Sequence, residues 1–174
     1  MITSRTNSKE LYQLVNDTTS AFFKLASSFN ESELNAKLSD DAWTAGQVIE
    51  HVTLSNVNIT GELLKHGKIC DRAPDAGVDN LRSIFLNFEK RLKSPAFIVP
   101  TRDVYSRETV IAELKKSIDE LEEAGQKEDL YEVISHAIFG DVTRLETLYF
   151  VIYHTQRHIH QLSNIQKLVQ NEKN

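Results

Sequence analysis

The chain has 174 residues, enough for one domain with a buried core and no need of disulfide staples. Six glycines and three prolines make up about 5% of it, against a usual share near 12%, which excludes collagen-like and many-turned all-β architectures and favours long helices. A net charge of −5, with Lys and Arg scattered and only a short basic run at 90–93, speaks against nucleic-acid binding, and no apolar run nears the ~20 residues of a bilayer span.

The first strong pattern is Leu11, Leu14, Val15, Thr18, Phe22, Leu25 and Phe29. Its spacings of three and four predict a helix over about 8–29, opened by Asn7 with Glu10 three residues on. The polar stretch 30–42 reads as a loop. Thr44 with Gln47 is a capping box, and Val48, Val52, Ile59 and Leu63 carry a second helix over about 44–65. Gly67, Pro74 and Gly77 mark 66–80 as a loop. Leu81, Ile84, Phe85, Phe88 and Leu92 trace a shorter helix, ended by Ser94-Pro95, and the stretch 95–105 is an extended crossover.

Ser106 is placed to cap a helix over about 107–124, with Gly125 as its stop. The sequence also admits a short helical segment around 128–138, broken by Gly140. Thr143 with Glu146 opens the longest helix, which runs to about 171. No segment sustains period-two alternation, so no sheet is expected. The expected fold is all-α: a four-helix bundle with one or two short extra helices and a long crossover between its second and third long helices. The chain, 1–174, reads as a single domain. Residues 1–9 lack the apolar core of a signal peptide, and the lone thiol, Cys70, rules out an internal disulfide. The expected setting is cytoplasmic, with neither a membrane nor a nucleic acid as partner.

Six histidines remain. His154 and His158 differ by only about 40° around the last helix, on the face that carries Phe150, Val151, Ile165 and Leu168. An i, i+4 pair is the spacing by which one helix offers two nitrogens to one metal ion. It is equally the spacing of two core histidines held by hydrogen bonds, and spacing does not choose between them. A metal would need a third ligand from another helix. The second helix offers His51, which alone reads as a boundary histidine; Ser55, Asn58 and Glu62 share its face. His160 lies about 200° from His158 and should face away. His66 reads as solvated, and His136 as a solvated or structural loop histidine. Gln161 returns to the face of His158, either to orient a ligand or substrate or to make a buried helix–helix hydrogen bond. Arg157, to the side, is either a surface arginine or an anion contact. Cys70 falls in a loop away from these residues.

Two stretches now carry a resemblance. Trp43-Thr44-Ala45-Gly46-Gln47-Val48-Ile49-Glu50-His51 resembles the Trp-then-His segment that opens the second helix in the DinB/YfiT superfamily. His136-Ala137-Ile138-Phe139-Gly140-Asp141-Val142-Thr143, leading into His154-x-x-Arg157-His158-x-x-Gln161, is similar to that family's entry into its last helix. Many relatives have Pro where Ala137 stands. The resemblance spans nearly the whole chain. It implies a four-helix bundle with a three-histidine site for a divalent metal ion, Zn2+ or Ni2+, whose ligands would be His51, His154 and His158. It carries no catalytic role to His136.

Members of the family are chemically mixed. Some are thiol transferases using bacillithiol, mycothiol or glutathione, others isomerases or hydrolase-like, and several form dimers. The implied activity is transfer of a low-molecular-weight thiol, as co-substrate, to an electrophilic small-molecule substrate by a homodimer. The catalytic group would be a thiolate or water activated by the metal, with Asn58, Glu62, Arg157 and Gln161 as candidates to orient groups around it. The alternative is a non-catalytic metal-binding or small-ligand-binding bundle.

Overall fold

The computed structural model describes residues 7–171. The stretch 1–9, read above for its lack of an apolar core, falls mostly outside them. Six helices and one hairpin follow in order: α1 (Ser8–Ser27), α2 (Glu31–Leu34), α3 (Ala45–Leu63), α4 (Val78–Phe85), α5 (Arg107–Gly125), β1 (Val133–His136), β2 (Gly140–Thr143) and α6 (Arg144–Asn171). A 3-10 turn, Ala96–Ile98, sits in the crossover.

The four long helices, α1, α3, α5 and α6, form the bundle. α3 packs on α5 and α6, and α1 packs on α6 and α5. The helices therefore run round the bundle in the order α1, α5, α3, α6, with α1 diagonal to α3. The long crossover joins α3 to its neighbour α5, and along it α4 lies against α6 while the 3-10 turn lies against α3.

The helix starts follow their sequence signals. Thr44 and Gln47 exchange both bonds of a capping box, at 3.2 and 3.0 Å. Thr143 and Glu146 do the same at the head of α6, at 2.8 and 3.1 Å. Glu146 also receives Arg72 through both oxygens at 2.6 Å and the Gly77 amide at 2.6 Å, which ties the loop before α4 to the start of α6. Asn7 accepts from the Lys9 amide, as an N-cap should.

Four expectations need correcting. The stretch 30–42 contains α2, whose start, Asn30 with Glu33, is itself a capping box. The shorter helix stops at Phe85 rather than continuing to 92, and beyond that end Arg157 donates to the carbonyls of Phe85, Asn87 and Lys90. Ser106 occupies the N-cap position of α5 without a capping bond, and Gly125 is the last helical residue rather than the stop. The fourth correction concerns 128–138, where an antiparallel hairpin, and hence a small sheet, replaces the expected helical segment. Its strands are four residues long, so alternation has too few residues to register. The tight link needs Gly140 at φ +70°, and the His136 ring turns it by accepting the Ile138 amide at 3.0 Å.

The core falls into two apolar clusters. One gathers Phe22, Val48, Val52, Leu114, Ile118 and Leu162; the other gathers Leu11, Val15, Ile59, Leu121, Leu148 and Val151. Between them every long helix contributes buried polar side chains: Thr18 and Thr19 from α1, Thr53, Ser55 and Asn56 from α3, Ser117 from α5, and His154, Thr155 and His158 from α6. A polar layer thus crosses the bundle at mid-height. Leu14 and Leu168, read above as core, are exposed. Among the described residues no helix is long and apolar enough to cross a membrane.

Candidate metal centre

Three buried histidines converge in or beside the polar layer. His51 comes from the second turn of α3, and His154 and His158 come one turn apart from the middle of α6. The Nε2 atom of His154 lies 3.1 Å from that of His51 and 3.1 Å from that of His158. The three donor atoms lie within 4.8 Å of one another. His51, His154 and His158 are 2%, 7% and 6% exposed, so bulk water does not hydrate this point.

The outer nitrogens decide the tautomers. His51 Nδ1 donates to the Ile98 carbonyl at 2.8 Å. His158 Nδ1 donates to Gln161 Oε1 at 2.8 Å. Each ring therefore turns an unprotonated Nε2 inward. His154 Nε2 carries at most one proton and can serve only one neighbour, so at least one inward lone pair lacks a protein donor. A cation satisfies all three at once. Two atoms each about 2.0–2.1 Å from one ion lie at most ~4.2 Å apart; His154 Nε2 meets that limit with each neighbour at 3.1 Å, and the His51–His158 pair lies within 4.8 Å. The residues present fit a divalent metal, and neutral imidazole nitrogens suit zinc, nickel, copper or iron.

Burial keeps these rings neutral. It pushes His158 down to about 3, helped by the neighbouring His51. His154 is driven well below the ordinary histidine value by burial and then by its two histidine neighbours. His51 is lowered by burial and partly restored by its bond to Ile98. Neutral imidazole is the form a metal requires.

Aromatic rings wall the site. Trp43 leans on His51 with centroids 5.0 Å apart. Phe150 stacks on His154 at 5.1 Å, and Phe85 meets it edge-on at 6.0 Å.

The other candidates are placed as follows. Gln161 orients His158 directly. Arg157 does not bond the histidines; it holds the end of α4, and so keeps Phe85 against His154. Asn58 and Glu62 bond each other at 3.2 Å, and Glu62 accepts the Ala137 amide at 2.7 Å. Neither has a hydrogen bond to the triad. Glu62 Oε2 faces His136 Nε2 at 3.4 Å, so His136 is a buried structural residue and not a solvated one. His160 lies outside and stacks on Phe88 at 4.3 Å. Cys70 bonds the Arg72 carbonyl in a loop.

Sequence reasoning missed the Ile98 carbonyl. A backbone acceptor leaves no trace in residue type; only the length of the crossover hinted that it returns to α3.

The family model for the DinB superfamily matches residues 14–162. The chain belongs to the DinB superfamily. A curated relative, the uncharacterized protein YuaE of Bacillus subtilis (strain 168), is 22% identical over 148 residues, covering 81% of this chain and 88% of YuaE. Among solved structures the chain is similar to TT2238, described as a four-helix bundle protein, with a TM-score of 0.59 and 22% identity. That likeness covers 91% of this chain and 99% of TT2238, and it shows the fold. Within this DinB fold, α3 and α6 are the two helices that bring the histidines together.

Gln161 gives a direct test of the outer shell. Gln161→Leu keeps side-chain bulk but removes the acceptor for His158 Nδ1. Loss of such a partner typically costs 10–100-fold in metal affinity. Competition with a chelator should show Zn2+ affinity falling by about tenfold or more, with the far-ultraviolet spectrum unchanged.

Proposed function

We propose that this DinB protein is a divalent-metal-dependent enzyme, most simply with Zn2+ or Ni2+, that transfers a low-molecular-weight thiol to an electrophilic small molecule. His51, His154 and His158 hold the ion. The observation that carries the reading is the convergence of three inward-facing, neutral Nε2 atoms in a buried site. Three protein ligands leave the ion with open positions, and a divalent ion lowers the pKa of a thiol it binds, which supplies a thiolate near neutral pH.

The chain's own residues do the rest. Ile98 and Gln161 fix the directions of His51 and His158. Trp43, Phe85 and Phe150 line the histidines with apolar rings and limit water there. Arg157 keeps Phe85 in place through the end of α4. Glu62 and Asn58 belong to the anchoring of the hairpin on α3, through the Ala137 amide. A cytoplasmic setting, where a free thiol persists, and a homodimer complete the reading.

The test mixes the metal-loaded protein with bacillithiol, glutathione or cysteine and a generic electrophile. Thiol consumption above the uncatalysed rate, lost on chelation and restored by the ion, is the expected result. Full metal occupancy without turnover across the panel would replace the enzyme by a metal-binding bundle.

A further inference from the structure

Glu50 immediately precedes His51 on α3 and is 5% exposed. A buried carboxylate is costly unless it is fully paired. Here it is. It accepts the Thr101 amide and hydroxyl, each at 3.2 Å, and the Arg102 amide and Nε at 3.4 and 3.2 Å. The Tyr105 hydroxyl adds a bond at 2.5 Å. All five donors come from the crossover between the 3-10 turn and α5. The acceptor for His51 Nδ1, the Ile98 carbonyl, lies on the same strap three residues upstream of Thr101. Adjacent residues of α3 therefore grip one strap at two points, the carboxylate at 101–105 and the imidazole at Ile98.

Tyr105 is itself held from three sides. Its ring lies over Gly46, one turn before Glu50, where a Cβ would come within 2.4 Å of it. Its amide donates to Asn35 Oδ1 at 2.8 Å, and its carbonyl accepts from Asn35 Nδ2 at 2.9 Å. Arg102 lies over the same ring at 5.1 Å. These contacts give the strap a single seat, and Glu50 is the group that ties the seat to α3. A displaced strap takes the Ile98 carbonyl with it. His51 then has no fixed acceptor and can move its proton to Nε2, the atom that must stay bare.

We propose that Glu50 is a positioning residue for His51: by anchoring 101–105 it holds the Ile98 carbonyl, which fixes the Nδ1–H tautomer and the inward aim of Nε2. The proposal rests on the metal-centre reading only where affinity is concerned; the tautomer is a property of the metal-free chain.

The experiment compares wild type, Glu50→Gln and Tyr105→Phe, each checked for helicity. Long-range nitrogen–proton correlation of the metal-free proteins reads the His51 tautomer. Chelator competition with Zn2+ reads affinity. Wild type should show a single Nδ1–H form. Glu50→Gln should show mixed tautomers and a loss of about 10–100-fold in affinity, and Tyr105→Phe a smaller change in the same direction. Gln161→Leu, as comparator, should weaken binding while leaving the His51 tautomer intact. Folded variants that keep the Nδ1–H form and wild-type affinity would overturn the proposal. If Glu50→Gln does not fold, an unchanged Tyr105→Phe does so. If wild type takes up no metal, the metal-centre reading falls, and the tautomer comparison alone still decides the role of Glu50.

Discussion

His154→Ala is expected to abolish divalent-ion binding. Protein purified without a nickel column should carry about one ion per chain, and the variant close to none. His154 is the central member of the triad, with its Nε2 at 3.1 Å from both neighbours. The two remaining nitrogens come from different helices and share no other bridge at the site. Outer partners alone are worth 10–100-fold, so losing this ligand should exceed about 100-fold in chelator competition. The variant should nevertheless fold, because the space it opens beside the inward Nε2 atoms of His51 and His158 offers polar partners to a water. Elemental analysis with a thermal scan separates these outcomes. Wild-type metal content in a folded His154→Ala would remove the triad from the metal-binding reading.

Acid should unfold the metal-free protein earlier than its carboxylates alone predict. The ordinary histidine value of 6.5 is lowered in the fold for His51, His154, His158 and His136. Below pH 6.5 the unfolded chain takes up protons that the native rings refuse. Stability from each ring is therefore complete above about 6.5 and is lost as pH falls toward the folded value, which for His158 is about 3. Each proton taken up on unfolding contributes a slope of about 1.4 kcal/mol per pH unit. Several such rings acting together make this slope weigh heavily against a typical stability of about 5–15 kcal/mol. Urea midpoints measured from pH 7.5 to 4.5 should fall steeply below 6.5. His154→Leu should make the curve less steep by the slope of one proton, about 1.4 kcal/mol per pH unit. Saturating Zn2+ should raise the midpoints and move the fall to lower pH, because the ion holds the imidazoles unprotonated. A level curve between pH 7 and 5 would contradict this account.

The long helices were legible because their apolar residues recur over three or more turns and because Thr44–Gln47 and Thr143–Glu146 are local signals. The hairpin was not, since it rests on the pairing of Val133 with Thr143 and on the Gly140 turn, and pairing is a non-local fact. The α6 pair of the site was visible as an i, i+4 spacing within an apolar stripe. His51 was not separable from a boundary residue by periodicity, and only the family resemblance singled it out. Nothing in the residue type of Glu50 marks it as buried. What buries it is a strap fifty residues away, and no window along α3 contains that information. Arg157 was legible as a residue beside the site but not as the brake on α4, since its partners are backbone carbonyls.

The two helices that hold the histidines also set the timing of assembly. His51 and His154 are separated by 103 positions. At a synthesis rate of about 5–20 residues per second, His51 leaves the ribosome roughly 5–20 s before His154 does. A chain in that interval offers one imidazole of the triad, that of His51. An ion that needs all three nitrogens would find no complete site on the unfinished chain. The three nitrogens meet only after α6 has docked against α3, so on the metal-centre reading full chelation would report the completed fold.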